Sequence, residues 1–99
     1  MTVEQHDRID IVTQKDDTIT LVMVEARPWS MAEEIRKDLR LKIINYAAYA
    51  GSRQYADEYG DAPVAFLLMH QQPPPPEIVS MLENAAADLG IPIDHIAMG

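Results

Sequence analysis

SMAEEIRKDLRLKIINYAAYAGSRQYADEY, residues 30–59, is the stretch from which the rest of the chain can be placed. At about 100° per residue, Ile35, Leu39, Ile43, Tyr46, Ala50 and Arg53 fall on one stripe of a helix, with Lys42 and Tyr49 at its edge. Leu41, Ile44, Ala48 and Tyr55 form a second stripe. A helix lying on one side of a sheet needs one apolar stripe, so the second asks for another surface, in the same chain or in a partner.

Ser30-Met31-Ala32-Glu33 has the form of a capping box, in which the Ser and Glu side chains each take an orphan amide, and it predicts the helix start. Glu33 with Lys37 and Asp38 with Lys42 are acid-to-base pairs four apart, suited to an exposed face. Gly51-Ser52 predicts a kink or break, with Gln54 to Tyr59 as a short continuation closed by Gly60-Asp61.

Upstream, Ile9 to Thr13 and Thr18 to Glu25 read as strands joined by Gln14-Lys15-Asp16-Asp17 in an antiparallel hairpin. Pro28-Trp29 ends the second. Downstream, Pro63-Val64-Ala65-Phe66-Leu67-Leu68-Met69 is a continuous apolar run of strand length, as expected for a central strand covered on both faces. Pro73 to Pro76 must be extended, with the last proline suited to a first helical turn; a stiff loop is the reading here, a polyproline ligand its alternative. Ile78, Leu82, Ala85 and Leu89 repeat at helical spacing before Gly90, a natural end residue, and Ile91 to Met98 reads as a last, edge strand.

The order is strand, strand, helix, strand, helix, strand. It predicts an α/β (α+β) two-layer sandwich: a four-stranded mixed sheet with two helices, in a single domain over residues 1–99 with residues 1–7 flexible. Right-handed crossovers put both helices on one face if strands are added in one direction, leaving the other face open.

Length, composition and charge narrow the functional classes. A 99-residue chain buries about two-thirds of the surface its unfolded form exposes, enough for one core without staples. No Cys is present, which removes disulfides, thiolate nucleophiles and cysteine-ligated zinc. The start lacks a basic patch followed by an apolar stretch, and Val64 to Met69 is too short to span a bilayer, so a cytoplasmic protein without a membrane partner is expected. The formal charge of −8 repels nucleic acid and anionic lipid. Charge alone also motivates an acidic inhibitor of a basic protein.

Asp10, Glu25 and Arg27 form the sharpest catalytic arrangement: two carboxylates on adjacent strands and a cation two residues past the second. They resemble the nuclease pattern in which acids hold magnesium and a lysine aids the attacking water. Arg stands where that pattern has Lys, and the proline before the first acid is missing. These three are weak candidates for a metal-dependent phosphodiesterase, with Arg27 or Lys42 as electrophile. The solvated-surface reading stands against it. His6, His70 and His95 are scattered without ligand spacing, and no metal site or cofactor is expected. Ser and Thr have no nucleophile elbow, and no Gly-rich phosphate loop precedes a helix. Tyr46, Tyr49, Tyr55 and Arg53, with Leu41, Ile44 and Ala48, are the candidate interface, since Tyr and Arg are enriched where proteins meet. A small-molecule pocket is the alternative.

Trp29, Leu39, Lys42, Asn45, Tyr46, Tyr49, Gln54 and Tyr59 together resemble a family of short bacterial proteins of uncharacterised function. Its members have a strand ending near a Trp, then a Leu-x-x-Lys-x-x-Asn-Tyr helix, an aromatic, a Gln, and a Tyr before the next strand. Arg53 stands where that family has Gly, with Gly51 two residues earlier. The resemblance implies the strand and helix order and assigns no catalytic residue. The expectation is a non-catalytic protein that acts by protein–protein interaction, as a homodimer through the second helix stripe or the open sheet face, or with another protein partner.

Overall fold

A computed structural model describes residues 11–97. The strands are β1 (Ile11–Lys15), β2 (Thr18–Glu25), β3 (Val64–His70) and β4 (Ile93–Ala97), and the helices are α1 (Ala32–Ala50), α2 (Arg53–Tyr59) and α3 (Pro76–Leu89). They form one four-stranded sheet in the order β1-β2-β3-β4. β1 pairs antiparallel with β2, whereas β2 with β3 and β3 with β4 are parallel. The expected mixed sheet and element order are present. The long helix is in two pieces, so the described helices number three.

Local chemistry accounts for the boundaries. The hairpin is tighter than expected: Gln14 and Lys15 continue β1, and only Asp16-Asp17 turn, with Asp16 at φ 55, a left-handed conformation that Asp tolerates. The capping box at Ser30 is not used. Trp29–Met31 forms a short 3-10 helix, and α1 begins behind Met31 without a side-chain cap. The break at Gly51-Ser52 is where it was expected. There Ser52 Oγ accepts the Tyr55 amide at 3.2 Å and starts α2, while Gly60 at φ 66 and Gly90 at φ 68 end α2 and α3. Pro76 stands in the first turn of α3, where its missing N–H costs nothing.

Parallel neighbours require crossovers, α1 and α2 in one and α3 in the other. Their buried residues share one core on one sheet face: Ile19, Leu21 and Met23 of β2, Phe66 and Leu68 of β3, Leu39, Ile43 and Tyr46 of α1, Tyr55 of α2, and Ile78 and Leu82 of α3. The predicted first stripe of α1 is the buried one, with Lys42 buried beside it. Lys42 therefore does not belong to an exposed ion-pair face, and Asp38 accepts from Arg27. The opposite sheet face carries Thr20, Val22, Val24, Leu67, Met69 and Ile96, of which Val22 is buried and Ile96 exposed. None of the described helices is long and apolar enough to cross a membrane.

Tyr46 ties helix to sheet. Its ring meets Phe66 edge-on at 5.7 Å and its hydroxyl donates to the Val22 carbonyl at 2.9 Å, both inside the core. Tyr46→Phe should destabilise the protein by about 1 to 2 kcal/mol, because the buried carbonyl loses a donor. Urea unfolding of both proteins, with unchanged slope, checks this.

Candidate functional site

The carboxyl ends of the parallel strands bring side chains of neighbouring strands together. β2 ends at Glu25 and β3 at His70, direct register partners, and His95 of β4 stands opposite Leu68. Strand alternation puts Glu25, His70 and His95 on the helix-covered face.

Glu25 is 1% exposed, and a buried carboxylate must be paired or neutralised. Arg27 does this by folding back over the strand end. Its Nε donates to Oε1 at 2.9 Å and to Oε2 at 3.1 Å, its Nη2 to Oε1 at 2.5 Å, and its backbone N–H to Oε2 at 2.9 Å. Nη1 reaches Asp38 Oδ2 on α1 at 3.0 Å. The guanidinium thus joins the end of β2 to the first turns of α1. Lys42 lies on the same helix, with its Nζ 5.5 Å from the centroid of the Tyr46 ring.

His70 is 3% exposed. Its Nε2 faces Nδ1 of His95 at 3.1 Å, with ring centroids 5.3 Å apart, and its own Nδ1 makes no hydrogen bond of acceptable geometry. Trp29 meets it edge-on at 6.5 Å and is held there by an indole N–H bond to the Gln72 carbonyl at 2.7 Å. Burial pushes the His70 imidazole below its ordinary range; the neighbouring His95 adds to this and the Gln72 backbone opposes it.

The site residues anticipated from sequence separate into three groups. Asp10 lies outside the described residues. Glu25 and Arg27 meet, but as an ion pair in which both carboxylate oxygens already accept from Arg27, leaving a poor ligand for magnesium. Of the anticipated interface, Leu41, Ile44 and Ala48 are exposed on α1 and Arg53 is exposed at the start of α2. Tyr46 and Tyr55 belong to the core instead, because the break at Gly51 turns α2 inward and Tyr55 donates to the Ala62 carbonyl at 2.8 Å. Tyr49 is half-buried and meets Tyr55 edge-on at 5.8 Å. Among the described residues no three His, Asp or Glu side chains are grouped to hold a metal ion. The His70 and His95 pair was not anticipated; its signal is the parallel register of β3 and β4, which local sequence does not state.

These features define a two-layer α/β domain whose parallel strand ends carry a buried ion pair beside a histidine pair. The chain belongs to a family of unknown function, DUF6572, whose model matches residues 1–91. That agrees with the resemblance to an uncharacterised family, and β4 lies beyond the matched residues. No curated protein and no solved structure matches the chain.

Two outcomes follow from this geometry. Arg27→Met strands a buried carboxylate and should cost about 3 to 5 kcal/mol, whereas Glu25→Gln with Arg27→Met should recover a large part of that loss in urea unfolding. His70 binds its proton less readily folded than unfolded. Its neutral form therefore favours folding above the ordinary imidazole value near 6.5, and that contribution is lost as the pH falls through this value toward the lowered folded one. Between about pH 7.5 and about pH 5, wild type should lose more stability than His70→Gln.

Proposed function

We propose that this acidic chain is a non-catalytic, cytoplasmic bacterial protein that acts through protein–protein interaction and forms a homodimer through the outer face of α1. The observation that carries the reading is the exposure of Leu41 and Ile44, 47% and 55%, about one turn apart on the solvent side of that helix. Ala48 continues the strip. Side chains of this kind next to one another on an otherwise charged helix gain from being covered.

A second copy suits the strip better than an unrelated partner for a reason of symmetry. In a two-fold interface the residues near the axis meet their own copies, which apolar side chains tolerate and like charges do not. Every charge of α1 lies between Glu33 and Lys42, and the remainder, Ile43 to Ala50, has none. Antiparallel pairing of two α1 helices about Leu41 and Ile44 sets the charged half of each against the uncharged half of the other. Parallel pairing would stack like charges. Helices of this kind pack about 8 to 10 Å apart, close enough for both side chains to interdigitate.

The phosphodiesterase reading is less well supported, since Arg27 occupies Glu25. The acidic-inhibitor reading rests on net charge alone.

Light scattering over a wide concentration range tests the proposal. Wild type should have twice the chain mass and keep it in high salt. Leu41→Glu with Ile44→Glu should raise the dimer dissociation constant at least about thirtyfold, with the circular dichroism spectrum unchanged. A wild-type monomer at every concentration, or a dimer that the double substitution leaves intact, overturns it.

A further inference from the structure

We infer that His70 and His95 form a binding site for a divalent ion of the late first-row transition metals, with zinc as the representative. The Nε2 of His70 and the Nδ1 of His95 face each other at 3.1 Å. In a tetrahedral site with zinc–nitrogen bonds of about 2.0 to 2.1 Å, two ligand nitrogens stand about 3.3 to 3.4 Å apart. An ion can therefore enter between the rings if they separate by a few tenths of an ångström. Such a movement lies within ordinary side-chain freedom.

The surroundings favour this. His70 projects from a strand paired on both sides, β2 and β4, and Trp29, itself anchored to the Gln72 carbonyl, stands against its ring. One ligand is thus fixed before the ion arrives, which lowers the ordering cost of binding. The second ligand, His95, is exposed on the edge strand and gives the ion a path from solvent.

The donor set also decides the class of ion. Both groups are imidazoles, which suit zinc, copper and nickel, while the adjacent carboxylate of Glu25 is taken by Arg27 and offers nothing to a hard ion such as magnesium. The protein supplies two ligands and water completes the coordination. A net charge of −8 raises the local concentration of cations around the chain.

The test is a titration of the full chain with zinc chloride in a weakly coordinating buffer, followed by calorimetry and by the imidazole nitrogen resonances. The expected result is one ion per chain, with the His70 and His95 resonances shifting together and saturating. His95→Ala, a change at an exposed position, should lower the affinity at least about tenfold, because losing a direct ligand exceeds the loss from a supporting group. His6→Ala should leave it unchanged, and magnesium should move neither imidazole. No saturable binding up to millimolar zinc overturns the inference. So does binding that His95→Ala leaves intact, binding that His6→Ala abolishes, or an equal response to magnesium, each of which would put the ion elsewhere on the chain.

Discussion

The parallel pairing of β2 with β3 is the constraint on which the rest of this structure depends. Strands joined in parallel cannot be linked by a tight turn, so the 38 residues from Ala26 to Pro63 must cross over the sheet and cover it. Residues 32–59 of that connection are almost entirely helical, and the apolar stripe of α1 meets Ile19, Leu21 and Met23. β4 adds by a second crossover in the same direction, which brings α3 to the same side. One-sidedness of the helix layer is therefore a result of topology. The register that comes with the pairing sets Glu25 against His70 at the strand ends.

A buried carboxylate at that position must be justified by its partners. Removing Glu25 from water costs several kcal/mol unless the charge is matched, and Arg27 matches it with three side-chain contacts and one backbone bond. The same guanidinium holds Asp38, so the pair does more than cancel charge. It fixes the direction in which the chain leaves β2 and the place where α1 begins. Apolar residues could fill the space as well; they could not set that direction by hydrogen-bond geometry.

Much of the fold was legible because its signals are periodic. β2 alternates, β3 is uniformly apolar, and α3 repeats at helical spacing before Gly90, and each of these became the expected element. Local signals that compete with tertiary contacts were less reliable. Ser30 and Glu33 have capping-box spacing, yet Trp29 is drawn to the Gln72 carbonyl and the chain takes a 3-10 turn there instead. Tyr55 falls on the outer stripe of an unbroken helix, but the break at Gly51-Ser52 rotates it into the core. At the strand ends, Glu25 and Arg27 were visible as neighbours in sequence, though their mutual saturation was not. His70 and His95 are 25 residues apart, and what joins them is the offset of β3 and β4 across α3, a property of packing rather than of either strand.

The carboxyl end of the sheet is divided by this chemistry into a closed half and an open one. On the β2 side the acid is buried and its oxygens are committed to Arg27, so a ligand there would have to break a network that also positions α1. On the β4 side His95 reaches solvent and shares its contact with the buried ring of His70. The outer strip of α1 faces away from this edge, since its side chains oppose the stripe that packs on the sheet. Association through Leu41 and Ile44 thus leaves His95 accessible. The two surfaces are separable in physical terms: association through the α1 strip would depend on apolar burial, and binding at the histidine pair on imidazole lone pairs.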